Sequence, residues 1–243
     1  LVKSKPWIKN IFRNLYQSFY DFLPQKKEFF NGQIDFRMGY FFGFHDINPF
    51  SIDNKKVLTN KLLHNKLIIP KVGERLDVGY FKLNGDKFGD FVKIGESTAW
   101  NFHKGCRLQW LDPETVIFNT FIKNNLVSKV VNIETNNSKL LNFPIDSISS
   151  DGVLASTFSY ERLNEFMPGY GYEGAIDGGF LDEKAPFSTG VFIYNIKDQK
   201  LLKMINLFEL FQLNKNISTV PDFNHYVTHS EFSKDRRYLS FLH

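Results

Sequence analysis

The sequence predicts an all-β fold built from repeated four-stranded blades, a β-propeller, preceded by an amphipathic helix. Three observations carry this reading. Short β-rich runs alternate with turn residues from residue 36 onward. A turn motif recurs along the chain. Phe, with 27 copies, dominates the aromatic content. Aromatic residues favour half-buried pleated surface, and strand-length runs separated by turn signals indicate a sandwich, barrel or propeller. A chain of 243 residues that is 42% hydrophobic can bury a real core as one large all-β domain.

Residues 1–31 differ from the rest. Trp7, Ile8, Ile11, Phe12, Leu15, Tyr16, Phe19, Phe22 and Leu23 recur at three- and four-residue steps, the stripe of an amphipathic helix. Lys3, Lys5, Lys9 and Arg13 are interspersed, and Pro24 supplies a stop. Such a helix packs on its own domain or on a protein partner. A basic amphipathic helix lying on a membrane is the sharper alternative. The domain division is therefore 1–31, helical, and 36–243, propeller.

Strand-like runs follow at 57–59, 66–69, 78–83, 88–94, 107–111, 115–121, 127–133 and 139–143. A hairpin reads at 190–203, turning at Asp198-Gln199. Helical periodicity is confined to about 159–166 and 207–213.

The repeat decides the architecture. Phe50-Ser51-Ile52-Asp53-Asn54-Lys55-Lys56-Val57 and Phe232-Ser233-Lys234-Asp235-Arg236-Arg237-Tyr238-Leu239 share the pattern Phe-Ser-x-Asp-x-basic-x-aliphatic. Weaker copies start at Gln109 and Ile148. In each, an apolar residue ends one strand, Ser and Asp form a turn by bonding their own backbone, and the next strand starts at once. The pattern resembles the Phe-Ser-Pro-Asp-Gly-Lys-x-Leu repeat of TolB-type propellers, without its Pro and Gly. Gly43–Phe50, Gly105–Trp110 and His225–Ser233 look like the oligogalacturonate-lyase-like bacterial branch of that superfamily. Roughly four blade starts are present, and the chain stops in what reads as mid-blade at Phe241-Leu242-His243. We therefore expect a truncated or incomplete ring.

Composition narrows the function. Net charge is +4 without a basic block, so nucleic acid is not an indicated partner. A single Cys106 leaves no internal disulfide and fits a cytoplasmic location. No stretch approaches the ~20 apolar residues of a membrane span. Nucleophile-elbow, phosphate-loop and paired-Cys zinc motifs are absent. Gly169-Tyr170-Gly171-Tyr172-Glu173-Gly174 matches Gly-x-Gly-x-x-Gly formally, but no strand precedes it, so it reads as a long surface loop.

Propeller loops gather at one end of a central channel. His45, Gln109, His225 and His229 converge there on this reading. The resemblance implies a His-ligated divalent metal such as Mn²⁺, held by His45, His225 and His229, with Gln109 beside them. Arg107, a planar fork for carboxylates, and Glu173 are the candidate catalytic groups. Trp100, Gln109, Trp110, Tyr170 and Tyr172 are the candidate ligand-binding residues, stacking on sugar rings. Each has a plainer structural role open to it: turn caps, an inter-blade salt bridge, or packed aromatic surface. The expectation is a bacterial propeller that binds or processes a carbohydrate, in one form a metal-dependent lyase acting on uronate-containing oligosaccharide. The alternatives are a non-catalytic protein-interaction scaffold, with residues 1–31 as docking element, and the accessory propeller of a polysaccharide-biosynthesis enzyme.

Overall fold

The computed structural model describes residues 6–23, 35–64, 69–85, 87–214 and 223–243. The expected run at 66–69 lies largely outside them. The chain divides into two compact units, Leu1–Ile34 and Asp35–His243. In the first, Pro6–Phe22 forms α1.

The second unit is mostly β, in four antiparallel sheets. β1 (Tyr40–Phe41), β2 (Lys56–Leu62), β3 (Leu76–Asn84) and β4 (Lys87–Ser97) form the first. β5 (Gln109–Trp110), β6 (Thr115–Ile122), β7 (Asn125–Asn132) and β8 (Ser138–Leu141) form the second. β9 (Ser147–Ile148), β10 (Leu154–Thr157), β11 (Gly190–Asn195) and β12 (Lys200–Asn206) form the third. β13 (Thr228–Phe232) and β14 (Leu239–Leu242) pair as the fourth. Each is a meander in which sequence neighbours are hydrogen-bonded neighbours, a propeller-like organisation. No closed ring is seen among the described residues. Two short helices, α2 (Tyr160–Phe166) and α3 (Leu207–Asn214), interrupt the third sheet's loop and follow its last strand.

The repeated motif falls at the same place in all four sheets: the turn from first to second strand. Its chemistry is identical in three copies. The Ser hydroxyl donates to the Asp two residues on, Ser51 to Asp53 at 2.6 Å, Ser149 to Asp151 at 2.6 Å and Ser233 to Asp235 at 2.7 Å. The same hydroxyl accepts from the backbone five residues on, at Lys56, Leu154 and Tyr238. The residue after Asp is left-handed in each: Asn54 (φ 55°), Gly152 (φ 70°) and Arg236 (φ 63°). That is where the TolB-type repeat carries Gly, the residue that adopts this φ freely. Asn tolerates it, whereas Arg236 is strained there. The Gln109 copy lacks the Ser; there the Asp112 carboxylate accepts from the Glu114 amide at 2.8 Å, and the Leu111 amide donates to the Thr115 carbonyl at 2.8 Å.

Packing follows chain order. Leu58, Val78 and Tyr80 of the first sheet meet Val116, Phe118 and Val131 of the second in one buried cluster with Trp100 and Cys106. Ile117, Val130 and Leu141 of the second meet Ala155 of the third. Val191 of the third joins Val227, beside the fourth sheet, in a cluster that also takes Tyr160 and Leu163 of α2 and Leu210 of α3.

Candidate functional site

Loops flanking the first strands, before β5 and β9 and after β1, deliver charged side chains to one point. Ahead of β5 the chain makes a tight turn: Asn101 and Gly105 exchange backbone hydrogen bonds, and the Asn101 carboxamide accepts from the Lys104 amide at 2.7 Å. This turn sends Lys104 inward, and Arg107, itself left-handed at φ 55°, follows. Lys104 Nζ lies 2.5 Å from Asp146 Oδ1. Arg107 Nε donates to the Asp146 carbonyl at 2.7 Å, and its two terminal nitrogens grip Asp46 bidentately at 3.0 and 2.8 Å. Asp146 Oδ2 accepts from the amide and hydroxyl of Ser230, on β13. The side chains of Lys104, Arg107 and Asp146 have no exposure, and Asp46 is 12% exposed. Two cations and two carboxylates thus tie together segments from all four sheets.

Electrostatics favours the charged forms of Asp146 and Arg107. Burial alone would raise the Asp146 carboxyl, but Arg107 and Lys104 outweigh it and hold the pKa at about 2. Burial lowers Lys104, opposed by Asp146. Burial works against Arg107 too, yet Asp146 and Asp46 raise it above its ordinary value.

Five rings lie close together beside the knot. Phe44 packs on His45 (4.2 Å between centroids), His229 (4.8 Å) and Tyr170 (6.4 Å). His103 stacks on Tyr170 at 4.4 Å, within 6° of parallel. His229 is left-handed at φ 52°. Its Nδ1 is buried with no hydrogen-bond partner among the described residues. Burial, and then Lys104, push its pKa down, so the imidazole is neutral at physiological pH. Next to the His103–Tyr170 stack opens a cleft of about 90 Å³, lined by Trp100, Phe102, His103, Asn164 and Glu173 among others.

The Tyr170 loop is locked onto this cleft. The Asn101 carboxamide donates to the Tyr170 and Gly171 carbonyls at 3.1 and 2.9 Å. A Cβ on Gly171 would lie 2.3 Å from the Asn164 backbone nitrogen, so only glycine lets the loop close against α2. Tyr172 anchors the far side, stacked on Tyr160 at 4.4 Å with its hydroxyl 3.2 Å from the Asn119 carboxamide.

The structure sorts the sequence candidates. Glu173 and Trp100 line the cleft, and Tyr170 stacks on His103, which lines it too; His45 and His229 are among the rings. Arg107 is not open to a ligand, because Asp46 occupies its fork. Gln109 is buried and donates to the Arg107 and Asp146 carbonyls. Tyr172 is buried. Trp110 supports the first sheet, its indole donating to the Pro49 carbonyl at 2.9 Å. His225 lies apart from His45 and His229 in its contacts: its ring adjoins His243 and Phe211. The ring contacts thus join His45 and His229 through Phe44, while His225 contacts His243 and Phe211. Sequence reasoning missed Lys104, Asp146, Asn101, Asn119 and Ser230. The available signal was position: Asp146 immediately precedes β9, as Gly105–Arg107 precede β5.

Cys106 is a core residue. Burial raises its thiol pKa to about 12. At pH 8 a disulfide-exchange reagent is expected to leave the folded protein unlabelled and to react once it is unfolded. Labelling of the native state at the unfolded rate would contradict this.

No family model matches the chain, and no curated protein matches it. Among solved structures, TolB from Acinetobacter baumannii aligns at 12% identity with a TM-score of 0.42, over 81% of this chain and 37% of TolB. The chain thus spans little over a third of that protein's length, and at that score the likeness bears on no function.

Proposed function

We propose that the chain binds an uncharged carbohydrate in the cleft beside Tyr170. The carrying observation is the parallel His103–Tyr170 stack next to an exposed carboxylate–amide pair, Asn164 Nδ2 to Glu173 Oε1 at 3.3 Å. Sugars present an apolar C–H face that packs on a ring and hydroxyls that bond carboxylates and amides. A small concave site with a few convergent polar groups is the ordinary form of a ligand site.

Charge sets the substrate class. The described cleft lining contains Glu173 but no Lys or Arg. The buried cations nearest the rings, Lys104 and Arg107, are bonded to Asp146 and Asp46. A uronate would meet Glu173 without a counter-charge; a neutral sugar would not. Elimination on a uronate requires a cation on the substrate carboxylate, and Arg107 is committed elsewhere, so binding is the better-supported activity.

Tyr170→Ala is expected to weaken binding to neutral oligosaccharides about tenfold, because it removes the ring that holds His103 in the cleft wall. Affinity electrophoresis against a panel of neutral glycans reads it. Equal retention of variant and parent, or no retention on any glycan, would sink the proposal.

A further inference from the structure

We propose that α1 binds an anionic lipid surface, lying in its plane. Charge is the first observation. Of 30 Lys+Arg and 26 Asp+Glu, residues 1–20 hold Lys3, Lys5, Lys9 and Arg13 and not one acid. Residues 21–243 therefore carry 26 of each sign, and the whole formal charge of +4 sits in the first twenty residues. Charge segregated at one end of a chain marks contact with an anionic surface.

The second observation is the apolar surface of α1. Ile11, Phe12, Leu15, Tyr16, Phe19 and Tyr20 are all exposed. At 3.6 residues per turn, Ile11, Leu15 and Phe19 form one row, and Phe12, Tyr16 and Tyr20 the row beside it. Tyr16 and Tyr20 touch, with centroids 4.7 Å apart. Two full rows make a broad face, four of its six residues Tyr or Phe, which is the composition of a helix seated at the headgroup boundary. A protein groove would account for the apolar rows alone; an anionic bilayer accounts for the rows and for the basic residues interspersed with them. No helix among the described residues is long and apolar enough to cross a membrane, which fits a helix lying on one.

The test is co-sedimentation of the full chain with phosphatidylcholine vesicles and with vesicles that also contain phosphatidylglycerol. Binding is expected only to the second, weakening as salt rises. Phe12→Gln/Phe19→Gln should lower vesicle affinity at least about tenfold. Lys9→Gln/Arg13→Gln should lower it roughly 25-fold on phosphatidylglycerol vesicles, at roughly fivefold per charge. Unchanged thermal unfolding of the sheet domain shows that each variant is folded. Equal partition to both vesicles, no partition, or partition indifferent to the substitutions would overturn the proposal. So would lipid-independent self-association of the parent that Phe12→Gln/Phe19→Gln abolishes, which would assign the face to a second copy of the chain.

Discussion

Asp146→Ala is expected to lower the unfolding free energy by about 3–5 kcal/mol, the cost of leaving buried charges without their partner. Among the described residues Asp146 is the carboxylate bonded to Lys104, and it also holds Arg107 and Ser230. Removing it strands an ammonium with no exposure. Asp146→Leu combined with Lys104→Met should recover most of the loss, because an apolar pair of similar volume carries no desolvation cost and Arg107 keeps Asp46. Urea titrations of the single and double variants measure both effects. A single variant within about 1 kcal/mol of the parent would show that the knot contributes little.

The same carboxylate sets an acid limit. Its folded pKa of about 2 lies below the ordinary 3.8. A depressed carboxylate stabilises the fold at pH values above its unfolded pKa, and that stabilisation is lost as pH falls through the folded pKa. Asp146 alone therefore contributes about 2 kcal/mol that disappears between pH ~4 and pH ~2. In Asp146→Leu/Lys104→Met the loss of stability across this window should be shallower by about that amount.

Arg162→Ala is the second large effect, again about 3–5 kcal/mol. Arg162 is 1% exposed and donates to backbone carbonyls of Gly179, Phe180, Glu183, Lys184 and His225. Its guanidinium also lies 4.8 Å above the Phe166 ring. One side chain thus fastens the segment before β11 and the approach to β13 onto α2. Alanine leaves five carbonyls without that donor. Arg162→Lys should rescue little, since a single ammonium cannot span the positions that a planar fork reaches. Hydrogen exchange of the 176–189 amides reads the effect locally: strong loss of protection is expected, and unchanged protection would contradict it.

Much of the fold was legible in the sequence because it is local. The Ser-x-Asp turn closes within six residues, so Ser51, Ser149 and Ser233 announce three of the four sheets without knowledge of tertiary structure. The β-rich runs at 78–83, 115–121 and 127–133 fall inside β3, β6 and β7, or overrun them by one residue. Stripes near 159–166 and 207–213 match α2 and α3. Site chemistry was less legible because it depends on which remote loops meet. Arg107 and Asp46, 61 residues apart, look in sequence like a free anion grip beside an unrelated acid; together they cancel. Tyr170 and Tyr172 are indistinguishable by type, and only the packing of Gly171 on α2 separates the ring stacked on His103 from the ring in the core.

The knot and the cleft are coupled through one turn. Asn101, Lys104 and Gly105 form it; Lys104 reaches Asp146 while Asn101 holds Tyr170 in place. Loosening the knot should therefore also displace Tyr170 from its stack on His103.

The most direct measurement is calorimetric titration of the full chain with a neutral trisaccharide and with trigalacturonate at the same low ionic strength. Saturable heat with the neutral sugar, and affinity at least about tenfold lower for the uronate, is the predicted result, the difference being roughly that of one unpaired charge beside Glu173. Preference for trigalacturonate, or no heat with either, would contradict the proposal that this cleft is built for an uncharged sugar.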